Sequence, residues 1–110
     1  MEISFATRKL KQLCESEKEL RKAYGSNGAK KAMRRLSDLR AAATLEDMRH
    51  LPGRIHELSG DRDGQLAIDL AAGWRLILAP TSGWPTEKAE GGHVWSAIDA
   101  VTVLEITDYH

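Results

Sequence analysis

The spacing of apolar residues changes period along the chain, and each change marks an element. Residues 1–6 alternate, with Ile3 and Phe5 on one side and Glu2 and Ser4 on the other, as a short strand does. From Arg8 the period lengthens to that of a helix. Thr7 is placed to cap it, and Leu10, Leu13 and Cys14 fall on one stripe. Ser16-Glu17-Lys18-Glu19 has the spacing of a capping box and predicts a second helical piece. Tyr24-Gly25 closes that piece, because glycine accepts the left-handed conformation that ends helices. From Ser26 or Asn27 to Ala43 the helical pattern is clearest. Ala29, Ala32, Met33, Leu36, Leu39 and Ala43 form the apolar stripe, with Lys30, Lys31, Arg34, Arg35 and Arg40 between them. The spacing predicts a helix about 25 Å long, with one face for a sheet and a basic face for solvent.

Residues 44–53 form a short connection closed by Pro52-Gly53, and the period then switches to two. Arg54 to Leu58 reads as a strand, and Ser59 to Gly64 as a turn with two glycines. Gln65 to Leu70 alternates again, with Leu66, Ile68 and Leu70 on one face. Ala71-Ala72-Gly73 then reverses the chain into a strand from Trp74 to Ala79. Residues 80–97, with two prolines and few apolar core candidates, read as a long loop, and Val101 to Ile106 as the last strand. The order β-α-α-β-β-β-β with short turns implies an antiparallel meander with the helices on one face and the other face partly open. The fold class is α+β, in one domain spanning 1–110.

Composition narrows the class. With 42% apolar and 29% charged residues the chain has enough apolar surface to offset the entropy of ordering. A single cysteine, Cys14, excludes an internal disulfide framework and suggests a reducing compartment, most simply the cytoplasm. The start Met1-Glu2-Ile3-Ser4-Phe5 reads as neither a signal peptide nor an anchor, and no apolar run is long enough to span a bilayer. Net charge is zero, but its distribution is not even. Residues 1–54 carry 13 Lys/Arg against 7 Asp/Glu, or +6, and residues 55–110 carry 3 against 9, or −6. Such a split points to a polarised surface with different partners on each side, or to a basic helix face packed beside acidic turns.

Three places could carry chemistry. His56 sits in a strand between Ile55 and Leu58 and reads locally either as a hydrogen-bonded sheet residue or as a titrating group. Arg75 interrupts an apolar strand, so it either pairs with a carboxylate such as Glu105 or faces the open side, where it could bind phosphate. Asp108-Tyr109-His110 follows an apolar strand with no linker. An acidic neighbour there favours the protonated imidazole, which can donate a proton to a leaving oxygen. The four histidines, at 50, 56, 93 and 110, lack any metal-ligand spacing, so no metal or other cofactor is expected.

The string His56-Glu57-Leu58-Ser59-Gly60-Asp61-Arg62, then Trp74-Arg75-Leu76-Ile77, then Asp108-Tyr109-His110 resembles the HigB branch of the RelE/ParE toxin superfamily. The resemblance spans nearly the whole chain and implies a RelE-like fold, with an N-terminal strand and helices on one face of a mainly antiparallel sheet. It implies a toxin of a type II toxin–antitoxin system, partnered by a helix-turn-helix antitoxin and reaching DNA only through it. The implied activity is a ribosome-dependent endoribonuclease that cuts mRNA in the A site, with the RNA 2′-hydroxyl as nucleophile. Matched position by position, His56, Arg75, Asp108, Tyr109 and His110 take the catalytic places. Arg54 and Arg62, together with Lys30, Lys31, Arg34 and Arg35, become RNA-binding candidates. Two departures stand out. Ser59 replaces a cation common in the family, and Gln65-Leu66-Ala67 replaces an aromatic. Trp84, His93 and Trp95 in the long loop offer compensating RNA contacts, or serve as spacer. The competing readings are a ParE-like toxin that binds DNA gyrase and a catalytically degenerate antitoxin-binding module.

Overall fold

A computed structural model describes residues 1–85 and 94–108. Strand β1 (Glu2–Phe5) leads into helix α1 (Arg8–Cys14), capped by the Thr7 hydroxyl, which accepts from the Leu10 amide. Helix α2 (Glu17–Ala41) is capped by Ser16 through the Glu19 amide and broken at Gly25, whose φ of 79° and ψ of 170° no helix tolerates. The sequence signals for one helix ending at Gly25 and another starting after it are thus both met, with a kink between the two pieces.

The strands β2 (His56–Glu57), β3 (Leu66–Asp69), β4 (Trp74–Pro80) and β5 (Ala100–Asp108) form the expected antiparallel meander. β1 adds to β5 in parallel, giving the order β1-β5-β4-β3-β2. The chain crosses from one edge to the other only through the helices, as a parallel β1–β5 pair requires. β2 is two residues long rather than the five expected. Arg54 has a positive φ of 49°, so the backbone cannot extend the ladder through it.

Leu66, Ile68, Leu76, Leu78, Val101 and Val103 meet Leu36, Leu39, Leu45 and Met48 in one core. Each such fully buried side chain contributes about 1.5–3 kcal/mol, more than any single surface ion pair in this molecule can. Leu20, Ala29 and Ala32 form a smaller cluster under the first part of α2, where the Tyr24 ring meets the Trp74 ring edge-on at 4.7 Å. Two members of the expected stripe fall outside it. Met33 is 40% exposed and Ala43 is exposed, while Ala42 is buried in its place. The buried stripe runs through Ala29, Ala32, Arg35, Leu36 and Leu39, which leaves Met33 on its flank, and Ala43 lies past the helix end at Ala41.

The loop from 80 to 97 is not the coreless spacer that its prolines and glycines suggest. Its turn Trp95–Ala97 is helical, and Trp95 is 5% exposed within the main core. The Trp95 indole donates to Glu57 Oε2 at 3.0 Å, and the Arg49 guanidinium lies 4.0 Å from its ring centre. Trp84 is half-buried and donates to the Gly64 carbonyl at 2.9 Å. Trp95 is therefore a core residue, which removes it as an RNA stacking platform. His93 lies outside the described residues.

Cys14 is buried, and its thiol is pushed up to about 11 by desolvation, which outweighs the lowering by Arg40. It is no nucleophile at neutral pH. Iodoacetamide at pH 8 should leave folded protein unmodified for hours and label it at once in denaturant; rapid native labelling would contradict the burial. The linkage has a definite sign. Above pH 9 the unfolded thiol ionises while the folded one stays neutral, so stability should fall between pH 9 and about 11.

Candidate active site

The sheet has two faces, and register decides which residues share one. Leu66, Ile68, Leu76 and Leu78 point at the helices, so Ala67, Asp69, Arg75 and Ile77 point away from them. His56 stands opposite Ala67 and joins this far face, while its neighbours Ile55 and Glu57 turn toward the core and Trp95. On β5 a bulge opposite the Ile77–Leu78 step moves the register by one. Without it Glu105 would point inward with Val101 and Val103. With it Ile106 points inward and Glu105 and Thr107 face outward beside Ile77 and Arg75. Ile106 falling out of step with Val101 and Val103 is the trace of this bulge in the sequence.

His56, Ala67, Ile77 and Glu105 thus form one row across four strands, and Asp69, Arg75 and Thr107 the next. Strand spacing places the Cα atoms of His56 and Arg75 about 12 Å apart, with both side chains on one face. An imidazole and a guanidinium reaching inward from that separation can bracket a single phosphodiester. The His56 ring has a defined role: Nδ1 lies 2.8 Å from the Arg54 carbonyl oxygen. A carbonyl only accepts, so Nδ1 carries the proton and Nε2 is the basic nitrogen of the neutral ring.

Arg75 does not pair with Glu105. Its Nε lies 3.0 Å from Asp69 Oδ1, directly across from it in register, and Arg54 Nε donates to Asp69 Oδ2 at 3.0 Å. Glu105 instead accepts from Arg62 at 2.6 Å, and Arg62 also donates to Gln65 at 3.1 Å. Arg62 comes from the helical turn Gly60–Arg62, so this bond folds the turn over β4. The far face is consequently less open than the meander suggests, and Ala67 and Ile77 are fully buried on it. Asp69 escapes a reading of the sequence as a site residue. Its usable signal is a lone acid ending an apolar strand, just before the reversal that returns Arg75 beside it.

The remaining candidates divide. Asp108 stands opposite Trp74, one position past Thr107, which opposes Arg75. Successive strand residues alternate, so Asp108 belongs to the Trp74 face and is not brought beside Arg75. Tyr109 and His110 lie outside the described residues. Lys30, Lys31 and Arg34 are exposed along α2, as the basic face requires. Arg35 is not part of that face. Its side chain is 6% exposed and paired with Asp38 at 3.0 Å, under Gly53. It occupies a position of the inward stripe, three residues after Ala32 and next to Leu36, although an arginine by its type suggests solvent. Among the described residues no group of His, Cys, Asp and Glu side chains is placed to hold a metal ion, and no helix is long and apolar enough to cross a membrane.

No family model and no curated protein sequence matches the chain. A solved structure, a YoeB/ParE toxin from Agrobacterium tumefaciens, matches it over 100% of both chains with a TM-score of 0.57 at 11% identity. The likeness is one of fold, and in this chain that fold is two helices packed on a five-stranded mixed sheet.

Proposed function

We propose that this chain is the toxin of a type II toxin–antitoxin pair, of the HigB-like type, and cuts mRNA on the ribosome. The observation that carries the reading is the shared sheet face of His56 and Arg75, with the His56 tautomer set by the Arg54 carbonyl. The reaction needs a base at the 2′-oxygen, a cation at the phosphoryl oxygens and an acid at the 5′-oxygen. His56 Nε2 takes the 2′ proton, and the 2′-oxygen attacks phosphorus. Arg75 stabilises the charge that builds on the non-bridging oxygens. His110, with Tyr109 beside it, protonates the departing 5′-oxygen. The products are a 2′,3′-cyclic phosphate and a free 5′-hydroxyl, and every role falls to a side chain. Asp69 acts here as a positioning residue, holding Arg54 and Arg75 by its two oxygens.

That Arg54, Arg62 and Arg75 are already paired does not disqualify them. Partly exposed pairs of this kind are worth about 0–1 kcal/mol, and the charge-assisted contacts of a phosphate exceed that. The reading extends to a cytoplasmic protein, neutralised by a helix-turn-helix antitoxin and touching DNA only through it.

One observation favours a second reading. The register sets Asp108 opposite Trp74, on the other sheet face from Arg75, and a terminal group divided between faces suits a non-cleaving, gyrase-binding or antitoxin-binding module. Translation extracts programmed with a defined mRNA separate the two. The nuclease reading expects new 5′ ends within codons that appear only when ribosomes are present. Intact mRNA with gyrase-linked DNA breaks in cells would install the second reading instead.

A further inference from the structure

We propose that the cleft between α2 and the edge of β3 is a second phosphate subsite, which holds a backbone phosphate neighbouring the one on the Arg75 face. The inference rests on the nuclease reading for the identity of the strand, and on the cleft itself for the chemistry. Lys31 and Arg35 from α2, Gly53 and Arg54 from the connection, and Asp69 from β3 line a cavity of about 250 Å³. That is just below the roughly 300–1,000 Å³ of sites for drug-sized ligands, and leaves room for a phosphate group with its water.

Three independent features point to an anion. The first is charge: three cationic side chains meet one carboxylate, and that carboxylate is already shared with Arg75. Lys31 makes no ion pair among the described residues. The second is Arg35. Its side chain is 94% buried, Asp38 takes only its Nη1, and its Nε has no hydrogen-bond partner. Asp38 is itself divided between Arg35 and Arg34, at 3.0 and 3.4 Å. A buried guanidinium left half-satisfied is costly, and a second anion beside it relieves that cost.

The third feature is Gly53. A Cβ there would lie 3.0 Å from Arg35 Cδ, 3.2 Å from its Nε and 2.7 Å from Ile68 Cγ2, and its φ of 106° suits glycine. Glycine keeps the wall of the cleft thin against the arginine. Guanidinium forks match phosphate oxygens, and the exposed Lys31 adds a point charge at the mouth. Asp69 is a wall of the cleft and the partner of Arg75, so the two subsites are contiguous. A strand leaving the Arg75 face passes around the sheet edge onto α2, where Lys30 and Arg34 continue the positive surface.

The test is NMR of the arginine Nε–H resonances of the full chain, titrated with inorganic phosphate and separately with a 2′-O-methyl RNA hexamer that cannot be cleaved. The expected result is a saturable shift of the Arg35 and Arg54 resonances with both probes. The hexamer should act at a tenfold or more lower concentration, because it engages neighbouring phosphates. Lys31→Glu should weaken hexamer binding at least tenfold and lower its salt slope by roughly 0.7 for each phosphate no longer neutralised. Shifts that never saturate, or that spare Arg35, overturn the subsite. Saturation by phosphate with no gain from the hexamer overturns the strand as its ligand. If wild-type protein leaves mRNA intact while the hexamer still binds here, the nuclease reading fails and the subsite stands.

Discussion

Arg75→Ala should lower mRNA cleavage on programmed ribosomes by about 10²–10³, the cost of removing one preorganised donor from a developing oxyanion. The fold should survive. The Arg75–Asp69 pair is a partly exposed contact at 3.0 Å, worth at most about 1 kcal/mol, and Arg54 remains on Asp69. A drop in activity without a matching drop in Tm is therefore the signature. Asp69→Asn keeps the guanidinium but removes its anchor, so it should cost less than Arg75→Ala. His56→Ala should cost a similar 10²–10⁴ by removing the base. Deleting His110 should abolish cleavage by removing the acid. Growth arrest by Arg75→Ala at wild-type expression would remove the arginine from the mechanism. Full cleavage without His110 would end the case for a terminal acid and promote the binding-module reading.

Trp95→Ala should be the most destabilising single change outside the sheet core, at about 3–5 kcal/mol. The indole is 5% exposed and joins three segments: its own turn, the edge strand through Glu57, and the Leu45–Met48 turn through Arg49. Total stability of a domain this size is about 5–15 kcal/mol, so the variant sits near the threshold of folding. Denaturant titration measures it directly. Trp95→Phe separates the parts, since it keeps most of the packing and loses the hydrogen bond to Glu57, for about 1 kcal/mol. A Trp95→Ala midpoint close to wild type would show that the indole is not part of the core. The same edge strand carries His56, so a partly folded Trp95→Ala should also lose activity through misplacement rather than chemistry.

The local elements are readable in the sequence because local forces make them. Thr7 and Ser16 cap helices through amides three residues on, and Gly25 breaks the rod by its own conformational freedom. The meander from β2 to β4 follows from alternation and short turns, and β5 joins it across the long loop. The α+β class and the exposure of Lys30, Lys31 and Arg34 follow from period and spacing. Trp95 escapes such a reading because proline and glycine mark a loop's backbone and say nothing of which side chain it delivers to the core.

Pairing between distant residues is decided elsewhere. Whether Arg75 meets Glu105 or Asp69 depends on strand register and on a bulge, and both are settled by how the whole sheet packs. The same holds for Arg35, which α2 carries under Gly53 and not into solvent. Sequence alone determined the elements and most of the charges this protein has to place. Only the tertiary structure decided which charges share a face, because one residue of register turns a side chain from one face of the sheet to the other.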